Sequence, residues 1–441
     1  MSKNREAVLF VENTNIRKQY LYSVAKAAKK RGFLALFAKS SNVESPPDGI
    51  FDIIIDWDAF TISDLEKLIT SFSKTYFLKA VVNVTRLFSR DGLIAAPLAE
   101  AAKKAGLRHH STDALFRTNN KYLMRDMLRH ADCRTVAYAL IQNEKEALTA
   151  ARQIGYPVIL KPISGAGSTL VFKCDNEEHL LRYTRQILER LPHVHFNELN
   201  AFSHFHALAS GHVVFFEPNA SLLLEKYISG IEFSVECLAD EEEVFPLLIH
   251  EKLRIRETPG VVYEDLLISP PTSFNPSQQL EIKKYAARIA KALHLKNTFA
   301  HIEMRWEPGV GPQVIEVNPR IGGGQVVQSL QTFLGIDPYE VELDLMMGTH
   351  GKRAYPLRTT ALHAMFFFFP PRAGFLKSVD GLEKISKLPG VLSVEQSYET
   401  GPIYGDEEEC FLVQCWMKAE SLQQVYDTYE RSLKQITMHM I

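Results

Sequence analysis

The sequence predicts a chain that is α/β in its first part and α+β beyond it, and three observations carry that expectation. Residues 7–110 alternate strand and helix signals. The middle of the chain sets strands around a small Gly-rich loop and ends in a hairpin. Beyond Tyr355 the order reads β-α-β-β-α. With 441 residues, the chain has room for several units that each bury a core.

Taken in order, residues 7–11 read as a buried strand. Ile16, Tyr20, Val24 and Ala28 recur at helical spacing, and Gly32 stands where a helix C-cap belongs. Residues 33–38 and 52–55 are the next strands, 65–72 are helical, 78–84 are a strand, and 92–105 form a helix stopped by Gly106. Such alternation implies a parallel sheet with helices on its faces. No GxGxxG follows the first strand, so a dinucleotide site is unsupported there.

In the middle, a helix carrying Lys121 leads to a strand at 158–161, a loop at 164–168 and a strand at 169–173. A helix at 177–191, strands at 222–227 and 232–238 and a helix at 282–293 follow. Strands at 300–305 and 313–317 flank the turn 307–312, which contains Pro308, Gly309, Gly311 and Pro312, a hairpin signal. The last helix presents Leu422, Val425, Tyr429, Leu433 and Ile436 on one face.

Apolar residues make up 46% and charged residues 23%, which excludes disorder as the main state. Fifty Lys and Arg against 52 Asp and Glu leave a formal charge of -2, which argues against a dedicated nucleic-acid or membrane-surface binder. The five cysteines, at 133, 174, 237, 410 and 415, show no CxxC spacing and read as reduced thiols. Only five apolar residues follow Lys3, Arg5 and Glu6, too few for a signal-peptide core. The apolar tract 364–369 stops at Pro370, far short of the roughly 20 residues of a membrane span. A cytoplasmic location is therefore expected.

Three clusters could carry chemistry. The loop Ser164-Gly165-Ala166-Gly167-Ser168 lacks the third Gly of a dinucleotide fingerprint and the GK[ST] of a P-loop, and a strand follows where both need a helix. Such a loop can fold backbone N–H groups over phosphates, with Lys161 adding positive charge. An ordinary glycine turn is the competing reading. In the second cluster, alternation puts His301, Glu303 and Arg305 on one strand face, and Glu316, Asn318 and Arg320 on another, just before Gly322-Gly323-Gly324. If the hairpin pairs, Glu303 and Glu316 project side by side with Asn318 beyond, a set of hard oxygens suited to Mg²⁺. A solvated strand face is the alternative. The third cluster is Glu225-Lys226-Tyr227-Ile228 with Glu232, an extended stretch able to hydrogen-bond adenine, although solvated strand edges share that pattern. His193, His195, His204, His206 and His212 lie close together without Cys or acidic ligands at finger spacing, which favours partly solvated histidines over zinc.

In this order, Lys121, Lys161 with its Gly-rich flap, Glu225 to Ile228 with Glu232, Glu303, and Glu316-Val317-Asn318-Pro319-Arg320 resemble the ATP-grasp superfamily over residues 1–350. The tail, from Thr359 through Gly374, 388–391 and Gly405-Asp406 to the last helix, resembles that of ATP-grasp L-amino acid ligases, which join free amino acids into dipeptides. The resemblance implies an ATP-grasp fold with a Rossmann-like N-terminal domain (1–112), a small subdomain with the flap (113–229), a central subdomain with a Mg²⁺ site (230–356) and a small C-terminal α+β domain (357–441).

It also implies roles. Lys121, Lys161, Ser164, Gly165, Gly167 and Ser168 would meet the ATP phosphates, Glu225 and the backbone of Lys226, Tyr227 and Ile228 would hold adenine, and Glu232 the ribose. Glu303, Glu316 and Asn318 would bind Mg²⁺, or Mn²⁺ in its place. Arg320, Lys161 and Lys252 would serve catalysis, with Arg320 neutralising a phosphate or acyl phosphate. Glu264, Arg305, Arg320, Gly322 and Gly323 would face the substrate. The implied activity is ATP-dependent activation of a carboxylate, such as that of an L-amino acid, and its coupling to an amine. Partners are then small molecules, and a homodimer is compatible. Alternatives are an ATP-grasp enzyme of the formyl- or carboxyl-transfer type, or a nucleotide-binding scaffold without chemistry. In one departure, Leu267 stands where L-amino acid ligases tend to carry a His three residues after a Glu.

Overall fold

The computed structural model describes residues 5–15, 17–86, 94–165, 167–193, 205–217, 219–351, 354–398, 400–403 and 410–441. Ile16, Ala166, His195, His204, Gly405 and Asp406 from the sequence reading lie outside them, as does the start of the helix expected at 92–105.

The first unit contains β1 (Glu6–Glu12), α1 (Lys18–Lys30), β2 (Leu34–Lys39), β3 (Ile53–Asp56), α2 (Ile62–Ser73), β4 (Phe77–Val82) and α3 (Ala95–Lys104). Its four strands pair in parallel in the order β3-β2-β1-β4, so the direction of strand addition reverses between β1 and β4. A parallel sheet covered on both faces needs continuous apolar strands. The run from Ala7 to Val11 meets that need, with every residue buried.

Helices α4 (Thr112–Asn119) and α5 (Lys121–His130) lead to β5 (Tyr138–Ile141), α6 (Glu144–Ile154), β6 (Val158–Pro162), β7 (Phe172–Cys174), α7 (Glu177–Arg190), β8 (Phe205–Ala207), β9 (Val213–Phe215) and β10 (Leu222–Lys226). These form a sheet in the order β5-β10-β6-β7, with β8 and β9 paired apart from it. The strand expected at 169–173 starts later, because Ser168 and Leu170 take left-handed backbone at φ 53 and 57, which a strand cannot accommodate.

The remainder comprises β11 (Ile231–Ala239), β12 (Val244–Thr258), β13 (Val261–Ser269), α8 (Pro276–Ala292), β14 (Thr298–Glu307), β15 (Gly311–Asn318), α9 (Val326–Leu334), α10 (Pro338–Met347), β16 (Leu362–Phe368), β17 (Gly374–Asp380), α11 (Leu382–Ser386), β18 (Val391–Gln396), β19 (Gly401–Ile403), β20 (Val413–Ala419), α12 (Leu422–Gln435) and β21 (Thr437–Met440). An eight-stranded sheet runs β15-β14-β11-β12-β13-β16-β20-β18. The boundary expected between 356 and 357 thus falls inside one continuous sheet, where β13 pairs with β16. The tail also differs from β-α-β-β-α, since β17 precedes its first helix, β21 follows its last, and β17 pairs with both β19 and β21 in a small sheet. On α12, Val425 and Tyr429 are buried while Leu433 is exposed.

One apolar core ties these units together. Val8 and Phe10 of the first sheet share it with Phe333 of α9, Leu343 of α10 and Trp416 of β20.

Candidate active site

The site lies between the second sheet and the eight-stranded sheet. Lys161 on β6 and Glu225 on the antiparallel β10 share a face, because Glu225 pairs with Ile159, two residues from Lys161. Lys161 Nζ is 2.5 Å from Glu225 Oε1, and Arg125 Nε donates to Oε2 at 3.0 Å. Burial alone would raise the Glu225 carboxyl, but Arg125 and Lys161 outweigh it and hold it low. Burial pulls the Lys161 ammonium down against the pull of Glu225. Both Glu225 oxygens are therefore engaged by cations, rather than standing ready for an adenine amino group.

Asn120 caps α5, accepting from the backbone of Tyr122 and Leu123 at the helix start where N–H groups lack partners. Lys121, the first residue of α5, donates from Nζ to the Gly165 carbonyl at 3.0 Å and lies 3.1 Å from Glu316 Oε1. This lysine joins the flap to the hairpin. The flap needs its glycines, since Gly165 and Gly167 sit at φ 137 and 62. At its far end, Val171 bridges to Gly260 in the β12–β13 turn.

The linker from β10 to β11 supplies the other wall. Lys226 turns its ammonium away, donating to the Gly155 and Tyr156 carbonyls at 2.9 Å each. Lys173 and Arg305 both stand over the Tyr227 ring, at 4.2 and 5.0 Å from its centroid. Arg305, expected near the substrate, uses its donors on this linker side: Glu232 Oε2 at 2.7 Å, the Ile228 carbonyl at 2.9 Å and Glu257 Oε1 at 2.8 Å.

Lys252 occupies the centre of an acidic cluster. Its side chain is fully buried, with Nζ 2.7 Å from Glu232, 3.0 Å from Glu303 and in close contact with Glu264. Lys252 was expected to serve catalysis; in the structure three carboxylates enclose its ammonium. Their attraction overcomes burial and holds the Lys252 pKa well above its ordinary value.

The hairpin pairs as its alternation predicts. Glu303 lies opposite Glu316, and His301 opposite Asn318. Burial would raise the Glu303 carboxyl, yet Lys252 and His301 bring it down to about 2. Arg320 Nη1 donates to the Ile321 carbonyl at 2.9 Å. The Gly322 N–H donates to Glu236 at 3.2 Å, and a Cβ there would stand 2.7 Å from His301 Nδ1, which explains the glycine. At Gly323 a Cβ would meet nothing. Leu267, at the family's His position, is buried in the apolar core with Met365 and Phe367.

A cavity of about 400 Å³ is lined by Lys121, Lys161, Ser164, Gly165, Ser168, Glu225, Lys226, Tyr227, Ile228, Glu232, Glu264, Glu303, Arg305 and Glu316. Gly167, Lys252, Asn318, Arg320, Gly322 and Gly323 do not line it. The sequence reading missed Arg125, which lies one helical turn after Lys121, and Glu236, which holds His301. It also missed Glu257 on the unread strand β12.

Residues 154–329 match the family model described as an ATP-grasp domain. The middle of the chain is an ATP-grasp domain. An uncharacterised protein of Sinorhizobium fredii, y4rH, is 23% identical over 92% of this chain and 77% of its own length. The alanine–anticapsin ligase of Bacillus subtilis is 23% identical over 61% of this chain, and the match spans 56% of that ligase. Among solved structures, the L-amino acid ligase from Bacillus licheniformis superposes with a TM-score of 0.77 at 19% identity, covering all of both chains. The likeness of fold thus extends beyond the matched domain into the parallel first sheet and the tail. The chain is related, at low identity, to ligases. No helix among the described residues is long and apolar enough to cross a membrane.

Proposed function

We propose that the chain is an ADP-forming ligase that phosphorylates a carboxylate, such as that of an L-amino acid, and couples the acyl phosphate to an amine. The observation that carries this reading is the Glu303–Glu316 pair, opposed across one hairpin, with Lys121 3.1 Å from Glu316, on the lining of a cavity that also holds Lys161. The similarity to L-amino acid ligases supports it.

A carboxylate resists amines because its leaving group would be oxide. Transfer of a phosphoryl group removes that obstacle, and the transfer needs alignment and charge neutralisation rather than covalent help from the protein. Lys121 and Lys161 would meet the phosphates, with the Gly165 and Ser168 flap closing over them. The linker from Lys226 to Ile228 would hold the base, and Glu232 the ribose. Two carboxylates and the Asn318 amide are hard oxygen donors that fit Mg²⁺. When bound, Mg²⁺ would supply neutralisation of the phosphate charge. Arg320, which feels the Glu303 and Glu316 charges, would offset charge on the transferred group. A closed flap would keep water from the acyl phosphate.

The test is phosphate release with ATP and Mg²⁺ across pairs of amino acids, with products identified by mass. Amino-acid-dependent ADP formation and a dipeptide product are expected. Glu316→Ala should lose at least about 100-fold in turnover with unchanged folding, as loss of a charge-stabilising group does. Bicarbonate- or formate-dependent turnover without amide product would sink the amide-forming reading.

A further inference from the structure

Away from the cavity, buried polar atoms without partners gather where the first sheet reverses its strand order. In open parallel sheets, ligands bind beyond the carboxyl ends of the strands at such a reversal. Arg17 follows β1 and Arg86 follows β4, and both hold left-handed backbone, at φ 60 and 43. Bulky residues rarely accept that conformation. Arg86 is fully buried, and its Nη1 and Nη2 donate to Glu342 of α10 at 2.7 and 3.1 Å. Its Nε has no partner among the described residues. The Arg17 guanidinium lies 4.6 Å from the Tyr20 ring centroid. Arg17 Nη1, Tyr20 Oη and Arg320 Nε are likewise buried and unpartnered among the described residues.

These groups act on one another electrostatically. Arg17 is drawn down to about 10, by burial first and then by the Arg320 charge, with Arg86 adding to it and Glu342 opposing. Glu12, the other acid close to Arg86, is pushed up to about 7 by burial and accepts from the Val84 N–H and the Asn83 amide. It therefore offsets little of the positive charge. A buried donor left unpaired is costly, so native proteins keep few of them. Glu342 already serves Arg86 as counter-ion, so what is missing among the described residues is an acceptor for Arg86 Nε, Arg17 Nη1, Tyr20 Oη and Arg320 Nε.

We propose that the carboxyl ends of β1 and β4, through Arg17, Tyr20 and Arg86, receive a spectator oxyanion of the substrate, with the Arg320 charge acting on Arg17 from beside them. This oxyanion is a carboxylate or phosphate other than the group that is activated. The proposal rests on the ligase reading for the role of Arg320, and it narrows the substrate class to amino acids or amines bearing an additional anionic group.

The test is binding to the full chain with Mg-ADP present, comparing L-glutamate with L-glutamine and O-phospho-L-serine with L-serine by calorimetry. At least one anionic member should bind ten-fold or more tightly than its neutral counterpart, and which pair shows the preference identifies carboxylate or phosphate. Arg17→Gln should abolish the preference while leaving Mg-ADP affinity unchanged. If Arg17→Gln fails to fold, Arg17→Lys, which keeps the charge without the planar fork, should reduce the preference several-fold. Equal binding within both pairs, no binding of any probe, or a preference unchanged in the Arg17 variants overturns the proposal. Because the readout is binding, a chain that forms no amide would refute the ligase reading and leave this result separate.

Discussion

Lys252, expected from the sequence to serve catalysis, is held in the structure as the counter-ion of an acidic cluster. Three carboxylates lie around its buried ammonium, and their oxygens fall within 4.8 Å of one another. Removing the charge leaves them repelling in a poorly solvated place. Lys252→Met should therefore cost about 3–5 kcal/mol of unfolding free energy in urea titrations, with the deficit shrinking as the carboxylates are protonated in acid. Glu12 offers a pH test of the opposite sign. Burial raises its carboxyl from 4.5 to about 7, so its contribution to stability is complete below the unfolded pKa and is lost as pH rises through about 7. Glu12→Gln should remove that loss and gain about 1–3 kcal/mol over wild type between about pH 5 and pH 8, read from denaturant midpoints.

At the scale of elements, the pairing of Glu303 with Glu316 and of His301 with Asn318 was legible because these residues alternate with the buried Ile302, Met304 and Val317, whereas the bulge after Glu303, which skips Ile315, was not. Period-two alternation sets both pairing and face. The β12–β13 hairpin was not legible. His250, Glu251 and Lys252 are consecutive and all buried, so its polar residues occupy both faces of the strand and mask the alternation. Their partners come from β11, α9, β13 and the 272–273 turn, and no local pattern reports these. Arg125 was missed for a similar reason: its carboxylate partner is 100 residues away. The linker between β10 and β11 makes its own demand on sequence. At Gly230, with φ 102, a Cβ would stand 2.0 Å from the Trp306 carbonyl oxygen. Gly230→Ala must displace either the linker or β14. It should destabilise the fold by about 2 kcal/mol or more and weaken ADP binding several-fold in calorimetric titration.

Over the whole molecule, the eight-stranded sheet decides what can exist alone. Strands β16, β20 and β18 cover the edge of β13, and Leu266 and Ile268 share a core with Phe366, Cys415 and Tyr429. A chain ending at residue 356 would expose that strand edge and its apolar face. It should aggregate or fail to unfold cooperatively, as sedimentation and thermal melts would show. A soluble, cooperative fragment would mean that the tail is an independent unit.

Local patterns determined a great deal by themselves: the parallel first sheet, the Glu303–Glu316 pairing, and the order of motifs that marks an ATP-grasp domain. The first two depend on residues within one element or on neighbouring elements, where side-chain period and turn chemistry act, and the third on resemblance to a family. The tertiary structure alone decided that Lys252 is a buried counter-ion, that Arg305 clamps the linker, that Leu267 is core, and that the tail completes the site-bearing sheet. Those outcomes depend on contacts between residues far apart in the chain, where burial and charge balance are properties of the assembled molecule.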